Sequence, residues 1–527
     1  MSSSVRSPLL MLLSTALVVS GCLSDPDPNG DDSGAPALVV PDGWWEGIVP
    51  SSLTDEAHDH TIRSHHANLT TDNFEVVGWD PLVTDHYNST LTGMGCGGAV
   101  TRDDGRRLAV VHSIATDVSF VVADITDPTT PRMLGEFYLP NSVVWDADIS
   151  ADGMHVLIGA YPPIFGDPTP VLPPVPPALG DLTAPTGPAW AEGFESLMVF
   201  RNSCTGEVQA VGPENYLPGP AIVMAGIQDP ENPVFEQYVP QPVIGPHSVG
   251  SQIIDGKVYA TSSVTNLAHE GSYYTIFEIV DDRLVPVSTI RTPGTASSWT
   301  VTKSPGSVTP FLNGHTDVFL HKHPLTDQFL AYLANWDGMY VYDLTVPQAP
   351  VEVSVWMDGK AGSVHTTYPF PFLRDGKQYL VVGQEVGEPV DLPSGWVYLL
   401  DITDPAAPEE VGRWTLPVKP KWDDGGLQFS PHYVAVSNET LFVSNYHGGL
   451  WAVDISDLSK PLANGLFVPD RDSPASYGGK SYGPVVEDVI IDPMNGILTV
   501  WDNGGGVYQL RFLDKVPAAR APAWVET

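Results

Sequence analysis

Leu450-Trp451-Ala452-Val453-Asp454-Ile455-Ser456-Asp457 is an apolar run that ends in an acidic turn, and the chain repeats it. Clear copies are Val121-Val122-Ala123-Asp124-Ile125-Thr126-Asp127-Pro128 and Val397-Tyr398-Leu399-Leu400-Asp401-Ile402-Thr403-Asp404-Pro405. Looser ones are Met339 to Leu344, Ile222 to Pro230, Tyr274 to Ile279 and Gly506 to Phe512. A phrase that returns about every forty residues points to a propeller or a solenoid, not to a single-core enzyme.

The cleanest unit runs from His432 to Pro469. His432-Tyr433-Val434-Ala435-Val436 alternates and stops at Ser437-Asn438-Glu439. Leu441 to Ser444 follows, then Tyr446-His447-Gly448-Gly449, the run to Ile455, and Ala463 to Val468. Four short strands separated by turns make one propeller blade. Aligned on this unit, the blades start at Gly98, Trp145, His247, His315, His365, His432 and Glu487. The seventh has only three strands, and Phe74-Glu75-Val76-Val77-Gly78 is left over at the other end. The expected fold is therefore an all-β, seven-bladed propeller of four-stranded blades. Residues 74–78 complete the last blade and close the ring, which removes exposed sheet edges.

These elements resemble the LVIVD-repeat family over about Phe74 to Phe512. The resemblance implies a propeller on a bacterial or archaeal cell surface and implies no particular activity.

Residues 1–21 read as a signal peptide, with Arg6 as the lone charge and Leu9 to Val19 as an apolar stretch too short to span a bilayer. Val19-Ser20-Gly21-Cys22 resembles a lipobox, so cleavage before Cys22 and lipidation there would leave an anchored lipoprotein. The alternative is a cleaved leader with an incidental cysteine. Residues 22–73 then form a polar, His-rich tether containing His58, His60, His65 and His66, residues 74–512 the propeller, and 513–527 a tail. The tether is expected to reach the closing strand from the face opposite the histidines that start the blades.

A net charge of −39 argues against nucleic acid and anionic surfaces as partners. The expected partners are the membrane, through the anchor, and a protein, glycan or small molecule, bound by a monomer. Cys96 and Cys204 either pair as a disulfide in an oxidising compartment or remain two buried thiols.

No nucleophile elbow, P-loop, dinucleotide fingerprint or His-Glu-x-x-His stretch occurs. Any chemistry must come from residues that the ring assembles. His247, His315, His365 and His432 start four consecutive blades, and Glu487 starts the next. In a propeller these starts share one mouth of the central channel, and the loops between second and third strands open on the same face. Those loops carry Asp337, Glu385, His447 and Asp502, expected beside His315, His365, His432 and Glu487 in turn. Imidazoles backed by carboxylates suit zinc, copper or iron, although a His at a strand start can equally serve blade packing. An insertion at 162–220 in blade 2 falls in the same class of loop and reads as a lid or a decoration. Three functions remain open on these residues: a surface binding module, a metal-dependent propeller enzyme (oxidoreductase or hydrolase), and a structural envelope protein.

Overall fold

The computed structural model describes residues 70–82, 97–112, 119–137, 139, 143–161, 198–201, 208–211, 221–241, 246–264, 273–292, 317–335, 338–356, 364–385, 395–416, 430–446, 448–469, 485–502 and 505–513. Among them there is no helix, and the strands form seven four-stranded antiparallel sheets arranged as a ring of blades. Blade 6 shows the unit: β24 (Val434–Ser437), β25 (Thr440–Ser444), β26 (Leu450–Asp454) and β27 (Leu462–Phe467), paired in that order. The third strand is the repeated phrase, and its residues from Leu450 to Val453 are buried because a neighbouring blade covers each face.

The acidic turn that follows the third strand in blades 1, 2, 4, 5 and 6 is structural. Asp454 Oδ1 accepts from Ser456 N at 2.8 Å and Asp457 Oδ1 from Ser459 N at 3.0 Å. Asp124 and Asp127 repeat this with Thr126 and Thr129, and Asp401 with Thr403. These Asx turns satisfy backbone donors where a strand ends. The hydroxyl and amide of Thr129 also hold the Asp127 carboxyl below the usual range.

The turn reaches sideways as well. A Cβ on Gly412, in β23 (Glu409–Trp414) of blade 5, would lie 1.9 Å from Leu458 O in the acidic turn of blade 6. Gly135 in β5 (Arg132–Phe137) approaches Pro230 O of blade 2 at 2.5 Å in the same sense. Each of these fourth strands is notched so that the next blade's turn can lock into it. Gly412→Ala should therefore cost about 3 kcal/mol or more, since backbone cannot yield as a side-chain tip does. Urea midpoints with an unchanged slope would measure it, and a loss below about 1 kcal/mol would contradict the lock.

Ring closure follows the same rule. Blade 7 consists of β28 (Val486–Ile491), β29 (Leu498–Asp502), β30 (Gly506–Phe512) and β1 (Phe74–Asp80). Phe74 pairs with Phe512 and Asp80 with Val507. Gly78 of β1 lies against Pro128 O of blade 1, as Gly135 lies against blade 2. Seven apolar clusters result, each made from two adjacent blades, and one joins Trp501 and Val507 of blade 7 to Ala109 and Val121 of blade 1.

One expectation is corrected here. Residues 70–73 do not come up from the far face. They run down the outside of β27, with Thr70 Oγ1 bonded to Val468 O, Thr71 N to Leu466 O and Asn73 Nδ2 to Asn464 O, before turning into β1. Val468 lies at the end of β27 where the second-to-third-strand turns are, so the chain enters from the histidine side. Of the insertion at 162–220, β8 (Met198–Arg201) and β9 (Val208–Val211) form a two-stranded hairpin. The remainder of it lies outside the described residues.

Candidate functional site

The first strand of most blades carries a bulge near its start. Register shifts fall between Val144 and Asp146, Pro246 and Ser248, Val364 and Thr366, and Val486 and Asp488. The extra residues are Trp145, His247, His365 and Glu487. In blade 6 the two residues His432 and Tyr433 both face Ser444, since His432 N donates to Ser444 O while Ser444 N donates to Tyr433 O. A bulge re-aims the side chain it carries, and in blades 3, 5, 6 and 7 it sets His247, His365, His432 and Glu487 at the same level of one mouth.

Two of those outliers meet. The rings of His365 and His432 lie 4.4 Å apart, inclined at 31°. Glu385, just after β21 (Tyr379–Gln384), sets Oε2 3.7 Å from His365 Nε2. One nitrogen from each histidine and one Glu385 oxygen lie within 4.8 Å of one another, all three residues being buried. His432 Nδ1 donates to Glu487 O at 2.8 Å, which places the proton on Nδ1 and the lone pair on Nε2. Ser444 Oγ donates to the same carbonyl at 2.8 Å. His247 reaches the edge of the group, its ring 6.3 Å from that of His365.

Tyr446 completes the pocket. Its hydroxyl donates to Glu385 Oε1 at 2.5 Å, and its ring lies 4.7 Å from that of His432. It sits in the left-handed region at φ 47° and exchanges two backbone bonds with Val486 of blade 7. Backbone in that conformation at a non-glycine residue costs free energy and persists where surroundings hold it. Tyr433 adds a ring 5.3 Å from His365 and 4.6 Å from His432.

Glu487 and Asp502 stand one blade further round. Asp502 Oδ1 accepts from Val485 N at 2.7 Å, and burial, aided by the charge of Glu487, pushes its carboxyl up to about 8. Among the other positions singled out from the sequence, His315, Asp337, His447, Cys22, Cys96 and Cys204 lie outside the described residues, as do His58, His60, His65 and His66. Gly98 is not a blade start of the same kind. Its neighbour Ala99 pairs with Ala109 as Val436 pairs with Leu441, which puts Gly98 level with Ala435, three residues deeper than His432. In blade 4, Asp317 takes the place of Tyr433: Ala334 N donates to its carbonyl as Ser444 N does to that of Tyr433, and Val318 pairs with Leu333.

The sequence reading missed a second polar layer. Asp146 and Asp488 follow the bulge in blades 2 and 7, Asp317 holds the equivalent place in blade 4, and Asp148 lies two residues deeper than Asp146. The charges of Asp148, Asp317 and Asp488 add to burial in raising the proton affinity of Asp146, and those of Asp148 and Asp317 do the same for Asp488. Asp146 Oδ2 accepts from Val249 N of blade 3 at 2.9 Å. A Cβ on Gly98 would meet Asp148 Oδ1 at 1.9 Å, so the glycine makes room for that carboxyl. Burial lifts Asp148 and Asp317 to about 7, and Asp146 and Asp488 well above the usual carboxylate range. The signal was one residue beyond the aligned starts, in Trp145-Asp146-Ala147-Asp148 and Glu487-Asp488.

Residues 432–467 match the family described as LVIVD repeat. A crystal structure of a protein from Lactobacillus plantarum shares 15% identity and a TM-score of 0.43, over 78% of this chain and 99% of that one. No curated protein matches the chain.

Proposed function

We propose that this chain, a seven-bladed propeller carrying the LVIVD repeat, is a lipid-anchored extracytoplasmic module that binds its ligand at the histidine mouth of the channel. The observation that carries the reading is the convergence of bulge residues from separate blades: His365 and His432 in contact, with His247 at their edge. A polar, half-enclosed mouth on a rigid ring is where propellers and other closed folds place ligands. The mouth is strongly polarised in chemistry, with imidazoles and phenols at the rim and carboxyls below. A ligand that offers both a donor group and a flat or apolar face fits it better than an anion does.

Anchoring follows from Val19-Ser20-Gly21-Cys22. Membrane fractions of cells expressing the full chain test it. Wild-type protein should partition with membranes and incorporate labelled fatty acid, and Cys22→Ala should move most of it to the soluble extracytoplasmic fraction. Equal partitioning of the two proteins removes the anchor from the proposal. The mouth is tested separately by screening glycans, peptides and small molecules against wild type and a His365→Ala, His432→Ala variant. Hits that survive the double substitution at full affinity place binding elsewhere.

A further inference from the structure

We infer that His365, His432 and Glu385 bind one divalent transition-metal ion, leaving at least one coordination position for a ligand from the channel. This rests on the reading of the mouth as the binding face and names what it binds first.

The donor set carries the inference. Two imidazoles and one carboxylate, with ligand atoms within 4.8 Å of one another, are the set that holds catalytic or exchangeable zinc and related ions; structural sites are closed by a fourth protein ligand. Nitrogen donors disfavour calcium and magnesium, which take oxygen. The three residues come from two blades: His365 from the bulge of β20 (Val364–Pro369), Glu385 from beyond β21, and His432 from the chain entering β24. None depends on a residue at a strand centre, where packing alone would explain it.

The surroundings orient the donors. The bond from His432 Nδ1 to Glu487 O selects the tautomer whose Nε2 can ligate, as outer partners of metal-bound histidines do. Tyr446 plays the corresponding role for Glu385, engaging Oε1 and leaving Oε2 on the side of His365. Its left-handed backbone and its bridge to Val486 fix that phenol from the next blade. A plain His–Glu ion pair would need neither the second imidazole nor the tyrosine. Tyr446 is a positioning residue in this account: it touches a ligand residue, not the ion.

The test uses the full chain, purified in detergent, stripped with chelator and titrated with Zn²⁺, Cu²⁺, Mn²⁺ and Co²⁺ separately. One equivalent of at least one of these ions should bind in competition with a colorimetric chelator. Cobalt should give the visible bands of a low-coordinate site, and these should shift when azide or imidazole fills the open position. His365→Ala and His432→Ala should each weaken binding at least about 100-fold, and the isosteric Glu385→Gln about 10- to 100-fold. Tyr446→Phe should keep the stoichiometry, weaken binding about 10-fold and alter the cobalt spectrum, a change that lost packing alone would not cause. Circular dichroism and thermal unfolding screen out variants that fail to fold. Glu385→Gln, which keeps size and the tyrosine bond, carries the test if the histidine variants do not fold. Absence of stoichiometric binding by folded wild type, or binding indifferent to Glu385→Gln and both histidine substitutions, overturns the inference. If metal fails while a ligand is still lost in the double histidine variant, the inference falls and the mouth stands as a binding face without an ion.

Discussion

Deleting residues 23–83 is expected to abolish the cooperative unfolding transition, whereas deleting 23–50 should leave it within a few degrees of wild type. The segment contributes the whole of β1, paired with β30 from Phe74↔Phe512 to Asp80↔Val507. Phe74 is buried, with its ring 4.9 Å from Phe512, 6.3 Å from Phe467 and 6.4 Å from Phe442. Thr70, Thr71 and Asn73 bond to blade 6, Trp79 Nε1 bonds to Gly505 O at 2.7 Å, and Leu82 is fully buried in the cluster that joins blades 7 and 1. Burial of two large apolar side chains at ~2–3 kcal/mol each and backbone bonds at ~1 kcal/mol each sum to on the order of 10 kcal/mol, as large as the net stability of most domains. The loss also bares two sheet edges, so aggregation should accompany unfolding. Thermal scans and size-exclusion chromatography read both effects. Phe74→Ala, expected to cost about 3–5 kcal/mol, gives a graded version. A truncated ring that still melts sharply near the wild-type temperature would falsify the clasp.

The second large effect is a rise in stability as pH falls from about 8.5 to 5.5. Asp148 and Asp317 are pushed up to about 7, Asp502 to about 8, and Asp146 and Asp488 well above the usual range, burial being the first cause for each. An unfolded chain would ionise these groups near pH 4. Because the folded state holds their protons more tightly, their contribution is fully present below the unfolded value and is lost as pH rises through the folded values. Their charges raise one another's proton affinity, so they titrate as a set and their contributions do not add. Urea midpoints should rise by an amount worth about 3 kcal/mol or more over that window, given ~1.4 kcal/mol for each tenfold gain in proton affinity on folding. The Asp148→Asn, Asp317→Asn variant should be more stable than wild type at pH 8.5 and show a flatter profile. Asp317 accepts from Val318 N at 2.7 Å on one carboxyl oxygen, which an amide oxygen can replace, while Asp148 accepts from Ile149 N at 2.8 Å and also from the backbone of Ser251. A wild-type profile that falls steadily from pH 8.5 to 5.5 would contradict the arrangement.

The blades could be read from the chain because the third strands are wrapped on both faces and so are mostly apolar, and because the Asx turns of blades 1, 2, 4, 5 and 6 demand Asp at fixed offsets. The closing strand was legible by subtraction, as the piece that blade 7 lacked. The site was only partly legible. Glu385 beside His365 follows from where the loops of one blade open. Tyr446 does not: it takes the corresponding place in blade 6 because the turn from Asn445 to Gly449 holds it in the left-handed region and against Val486, contacts that no local pattern encodes. The bulges are equally silent in one dimension. The short first strand of blade 1 put Gly98 in line with His432 although it lies three residues deeper, and the aspartates just past the bulges were passed over.

The notched strand β1 also sets an order of events. It is the first part of the ring to be synthesised, yet its partner is the last: Glu75 and Arg511, which meet in an ion pair, are 436 residues apart. Closing a loop of that length is entropically disfavoured until the intervening blades have shortened it. Six blades can assemble as they emerge, each on the one before, while the first strand waits and the seventh blade stays one strand short. The final step is then a single non-local docking, slow by the standards of the local hairpins that precede it. A chain built this way cannot close its ring before β30 has been synthesised. That delay is compatible with export across a membrane in an unfolded state, and it makes the assembled ring slow to reopen once the last strand is seated.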